Sequence, residues 1–82
     1  MMTALVYITP KPDILDPQGK AVGNALRDLG YDEVQDVRVG KYITLELKAR
    51  PGEDPHQRLE EMCRRLLANI NVESYRVEIT ES

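Results

Sequence analysis

An α+β fold, with elements in the order β-α-β-β-α-β, is what this 82-residue sequence predicts. Three observations carry that expectation. Four short stretches alternate apolar and polar residues with period two, as strands do. Two longer stretches place apolar residues at helical spacing, and each opens on an Asp-Pro pair. The order of these elements is that of the ferredoxin-like split βαβ unit, a four-stranded antiparallel sheet with two helices on one face. Right-handed crossovers then favour the strand order 4-1-3-2. No composition break or repeat divides the chain, so residues 1–82 read as one domain.

The first strand is "ALVYIT", residues 4–9, with Ala4, Val6 and Ile8 on one side and Leu5 and Tyr7 on the other. A proline-bearing link with Pro10 and Pro12 leads to Asp16 as an N-cap and Pro17 at the first helical position. Val22, Ala25, Leu26 and Leu29 form one apolar stripe, and Gly30 stops the helix. Residues 34–39, "VQDVRV", and 42–49, "YITLELKA", read as two strands joined around Gly40-Lys41, the second with Ile43, Leu45, Leu47 and Ala49 on one face. A two-residue turn there would set Arg38 against Ile43, whereas a three-residue loop or bulge matches Val39 with Ile43 and leaves Tyr42 in the turn. Asp54 and Pro55 start the second helix, which carries Leu59, Met62, Cys63, Leu66 and Leu67 and ends at 69–71. The last strand, 72–80, puts Tyr75, Val77 and Ile79 on one face. Leu5 and Tyr7 point away from the helices, so that sheet face either gains cover from a partner or carries scattered exposed apolar groups.

Composition excludes several functions. With 14 acidic against 11 basic residues the net charge is −3, the wrong sign for a nucleic-acid binder. The RNA-binding sheet signature is missing, and there is no phenylalanine at all. One cysteine and one histidine allow neither an internal disulfide nor a Cys/His metal cluster. No apolar run approaches the ~18 residues of a membrane span. The expectation is a cytoplasmic protein with no membrane or nucleic-acid partner.

"ILDPQGKAV", residues 14–22, holds a Gly-Lys pair at a helix start and must be tested as a phosphate loop. It fails. Ala21 stands where the motif needs a hydroxyl, Ile14 stands where it needs glycine, and the helix end is already capped by Asp16 and closed by Pro17. Gly40-Lys41-Tyr42 fails likewise. Gly19 and Gly23 share a helix face, which reads either as tolerated first-turn glycine or as close approach by another backbone. His56 reads as a surface residue with no nucleophile nearby in sequence, and Cys63 as a small core hydrophobe. The acidic residues Glu46, Glu60, Glu61, Glu73 and Glu78 read as solvating charge, with no paired acid/base spacing. Arg38, Lys41 and Tyr42 form a small cationic-aromatic cluster suited to contact.

"LDPQGKAV" (15–22), "LGYDEVQDVRVGKY" (29–42) and "LLAN" followed by "VESY" (66–69, 72–75) together resemble the PurS family, the small subunit of the three-part phosphoribosylformylglycinamidine synthase. The resemblance runs over nearly the whole chain; Ile70 replaces the proline usual after "LLAN". It implies a non-catalytic bridge in purine biosynthesis between a glutaminase subunit, which releases ammonia, and a large synthetase subunit. The bridge assists ammonia transfer, and the product is formylglycinamidine ribonucleotide. It also implies ATP and magnesium used by the large subunit, no cofactor on this chain, and a homodimer or higher homo-oligomer formed through the sheet. The residues expected to make partner or assembly contacts are Asp16, Pro17, Gln18, Gly19, Arg38, Gly40, Lys41, Tyr42 and Asn69. A stand-alone dimeric ligand-binding regulatory domain is the alternative on fold analogy. A small hydrolase of acylphosphatase type is disfavoured, because "TPKPDILD" offers two prolines and no arginine after the first strand.

Overall fold

The computed structural model of the chain describes residues 1–81. Strand β1 spans Met2–Pro10, helix α1 Pro17–Asp28, β2 Lys41–Leu47, α2 Pro55–Met62 and β3 Glu73–Glu81. β1 lies in the middle of a three-stranded antiparallel sheet of order β2-β1-β3. Its alternation sets the core. Ala4 faces Leu45 and Ile79, Val6 faces Ile43 and Val77, and Ile8 faces Tyr75, all on one side of the sheet. Ala4, Val6 and Ile8 are buried with Leu59, Cys63 and Ala68, and the inward residues of both outer strands pack around them.

α2 supplies the cover. Its Asp54 carboxylate accepts from the His56 amide at 3.0 Å, and Pro55 follows the cap as expected. The helix continues through Cys63–Leu67 as a wider π turn. This turn keeps Cys63 in the core while Leu66 is 84% exposed.

The fourth strand expected at 34–39 is not formed, and only one helix covers the sheet. Two physical reasons account for this. A tight hairpin at Gly40-Lys41 requires a residue with positive φ, and the only glycines in that region of backbone space are Gly30 and Gly52. Gly40 instead lies against β1, where an added Cβ would overlap the Ile8 carbonyl oxygen. Residues 34–40 are also held elsewhere: the Val39 amide donates to Asp16, and Arg38 donates to three carbonyls of the link after β1. The segment therefore runs without bend or turn directly into β2. Tyr42 is accordingly not in a turn but opposite Tyr7 in the ladder, its ring stacked 5.1 Å from that of Tyr7.

α1 lies against this arm and away from the sheet core. Its buried residues are Gly19 and Gly23, not the apolar stripe. Val22 and Ala25 are exposed, Leu26 is half-buried and Leu29 is 74% exposed. The helix ends as the sequence indicates, with Gly30 at φ 103° and the Tyr31 amide returning to the Leu26 carbonyl. Sheet and arm together make a flat, elongated body of 54 × 28 × 14 Å. Its radius of gyration is 16.4 Å, where a compact domain of this length has about 12 Å.

Candidate partner-contact site

Most of the residues singled out in the sequence converge where the arm meets the sheet. Asp16 is the hub. One carboxylate oxygen caps α1 by accepting from the Gly19 amide at 3.1 Å, and the other accepts from the Val39 amide at 2.9 Å. One side chain thus ties helix, arm and link together. The two amide donors, Val39 first and Gly19 second, hold the Asp16 carboxyl below its ordinary value of 3.8, with the Arg38 charge assisting and partial desolvation opposing. The stability this lends is fully present above that ordinary value and is lost as pH falls through the lowered one. We expect Asp16→Ala to lower the thermal midpoint at pH 6, and the gap from the parent chain to close as the pH is taken below 4. A gap of constant size would remove the carboxylate from the account.

Arg38 completes the joint. Its guanidinium donates to the carbonyls of Lys11 at 3.1 Å, Ile14 at 3.2 Å and Pro12 at 2.5 Å, and it pairs with Asp36 at 3.4 Å. A planar fork with five donors can gather three carbonyls of one loop in this way; a lysine ammonium has no such fork. Gly19 permits the closeness of helix and arm, since a Cβ there would overlap both the Val37 carbonyl and the Asp16 carboxylate. Gly23 rests on the Val37 side chain. The close-approach reading is thereby the correct one at Gly19, where the approaching backbone belongs to the same chain; at Gly23 the nearest atoms are those of the Arg27 and Val37 side chains.

Glu73, which the sequence offered only as solvating charge, joins the remaining residues. It accepts from the Asn69 amide at 2.8 Å and pairs with Lys41 Nζ at 3.7 Å. Asn69 also turns the chain into β3, its side chain accepting from the Asn71 amide at 3.1 Å. Nothing in the residue pattern marks Glu73, because its two partners come from different elements. Pro17 and Gln18 stay exposed on the first turn of α1. Tyr42 lies apart, on the open sheet face, in a row with Tyr7 and with Arg76, whose guanidinium sits 4.4 Å from the Tyr7 ring centre.

The charged groups around this joint are engaged with the chain itself. A cleft of about 260 Å³ lies between α1 and the arm, lined by Asp16, Lys20, Arg27 and Arg38 among others. Arg27 is engaged by the Val34 carbonyl and Asn24, Arg38 by the link, and Asp16 by two amides. Cys63 is buried, and burial together with nearby Glu60 pushes its thiol up, away from the reactive thiolate. The Tyr75 hydroxyl donates to Glu60 at 2.5 Å, which pushes its own ionisation up. Among the described residues no group of three His, Cys, Asp or Glu side chains is placed to hold a metal ion.

The family model for PurS, phosphoribosylformylglycinamidine (FGAM) synthase, matches residues 3–81. This chain belongs to the PurS family. The PurS subunit of that synthase from Bacillus subtilis is 46% identical over 81 residues, 99% of this chain and 95% of the relative. The Synechocystis PurS subunit is 49% identical over 75 residues, 92% of this chain and 75% of the relative. Among solved structures, B. subtilis PurS superposes with a TM-score of 0.91 at 46% identity, covering 99% of this chain and all of that one. A chain in the structure of PurLQS from Thermotoga maritima superposes with a TM-score of 0.81 at 27% identity, covering 98% and 99%. The fold described above is therefore one that these solved PurS chains share. No helix of this PurS-family chain, among the described residues, is long and apolar enough to cross a membrane.

Proposed function

We propose that this chain is the small, non-catalytic subunit of phosphoribosylformylglycinamidine synthase. In that role it joins a glutaminase subunit to a large synthetase subunit in the cytoplasm and assists the passage of ammonia between them. The synthetase, which binds ATP and magnesium, then converts formylglycinamide ribonucleotide to formylglycinamidine ribonucleotide. The observation that carries this reading is the match to the PurS subunit of B. subtilis across 99% of the chain. What supports it at the site is that Arg38 and Asp16 hold the chain's own backbone together and give the body its shape. The likeness to a chain of PurLQS supports work within an assembly.

The bridge acts as a homodimer or higher homo-oligomer formed through its sheet, in which β2 and β3 are the edge strands. Purified glutaminase and synthetase subunits, given glutamine, ATP and magnesium, should form product only once this chain is added. Full glutamine-dependent activity without it would refute the proposal.

A further inference from the structure

We infer that residues 11–40, comprising the link, α1 and the arm, are a strap that opens and closes as one unit while the sheet and α2 stay folded. Asp16 and Arg38 are its latch. This goes beyond the subunit role proposed above and does not depend on it.

Where the core lies is the first reason. The buried cluster and the side chains packed on it come from residues 4–8 and 43–79, and residues 11–40 contribute none. What the strap buries within itself is slight. Gly19 and Gly23 are buried, and Ile14, Leu26, Val34, Val37 and Val39 are half-buried. A helix of 12 residues such as α1 is marginal in water without packing. Gly19 and Gly23 weaken it further, since glycine is the poorest helix former after proline. α1 therefore melts when it leaves the arm, and segments with so little buried apolar surface open below the global stability.

The second reason is how the bonds divide. Within the strap, Asp16 accepts from the Gly19 and Val39 amides, Arg38 donates to the carbonyls of Lys11, Pro12 and Ile14, and Arg27 donates to that of Val34. On the sheet side, Glu73 holds the Asn69 amide and Lys41. Across the boundary the Lys11 amide donates to the Val72 carbonyl at 2.9 Å. The Val39–Asp16 bond spans 23 positions and the Arg38–Lys11 bond spans 27, so each joins the last part of the strap to its first. Breaking them releases the strap as a whole. Its two ends meet at the sheet, because β1 ends at Pro10 and Lys41 is paired with Ile8. The opened strap is then a loop of about 30 residues between paired strands, and loop closure costs rise only with the logarithm of length. The ladder and the core survive the opening.

Amide hydrogen exchange followed by NMR through a urea series reads the unit directly. The α1 amides of residues 21–28 should exchange together, about 100-fold less protected than the β1 amides of residues 4–8. Their urea dependence should be weaker, because opening the strap exposes less surface than unfolding the chain. Two mild variants separate the strap from the sheet. Asp16→Asn keeps one acceptor oxygen where Asp16 uses two. It should speed α1 and β1 exchange alike, about tenfold, since both openings break the latch. Ile79→Val, in the packing around the core, should speed β1 exchange about fivefold. It should leave α1 exchange unchanged, because the sheet is folded before and after the strap opens. Equal protection and one urea slope for α1 and β1, or faster α1 exchange in Ile79→Val, would overturn the inference. So would α1 amides that fray one by one. Protection of α1 that climbs to that of β1 as the protein is concentrated would assign the hold to a second copy and overturn the latch.

Discussion

Leu59→Ala should lower the thermal midpoint of the chain by about 15 °C, the largest effect expected of a single truncation. Leu59 is fully buried in α2 and is the side chain through which the helix covers Ala4, Val6 and Ile8. Removing a buried leucine to its Cβ costs about 2–5 kcal/mol, according to how far the surroundings collapse. Near 3 kcal/mol is expected here, because the rigid central strand below cannot move up into the space. In a domain of 60–100 residues each kcal/mol moves the midpoint by about 4–8 °C. A fraction of this loss would be a large share of the total stability of so small a core. Thermal unfolding followed by circular dichroism tests it. A fall of under about 5 °C would mean that α2 is not what closes the core.

Gly40→Ala should be the most damaging of the glycine substitutions, by about 2–3 kcal/mol. Gly40 has no positive φ, so the cost is not one of backbone conformation. It is one of space: the methyl group would overlap the Ile8 carbonyl, a backbone atom fixed inside the ladder, and the arm would have to lift from β1. Gly52 makes the contrast. Its φ is 80°, and nothing stands within 4 Å of an added Cβ. Gly52→Ala should therefore cost about 1 kcal/mol, from conformation alone. Urea unfolding of both variants gives the comparison, and equal losses would show that the approach at Ile8 relaxes freely.

These two positions also separate what the sequence shows from what it hides. Leu59 was legible: helical spacing places it on the apolar stripe of α2, and alternation places Ala4, Val6 and Ile8 beneath it. The caps Asp16 and Asp54 were legible for a similar reason, since cap chemistry is local and acts within three residues. Gly40 was misleading. A glycine followed by lysine between two alternating runs looks like a hairpin, and only its φ shows that the chain passes straight through. Period-two alternation says that residues 34–39 are extended; it does not say which strand, or whose, lies beside them. The same holds at the site. Asp16, Gly19, Arg38 and Gly40 were all picked out, yet their joint purpose depends on distances between segments some 20 residues apart. Glu73 was passed over because its partners, Asn69 and Lys41, meet only in the folded chain. The π turn at Cys63–Leu67 leaves no mark in a pattern of helical spacing, and it decides that Leu66 faces outward.

The central place of β1 governs how the chain assembles itself. Both of its neighbours arrive late: β2 begins some thirty residues after β1 ends, and β3 pairs Glu81 with Met2 across almost the full length. No strand of this sheet can zip to the next through a short turn. Closing such long loops must precede any reward from the contacts they make, which places the chain among slow folders of high contact order. Until β3 docks, β1 has one edge bare and the apolar side chains of both partners uncovered. The helices, whose bonds are local, can form first and wait. The loop that β3 must close is the longer of the two, and while that edge of β1 is bare, chains at high concentration are exposed to pairing with one another.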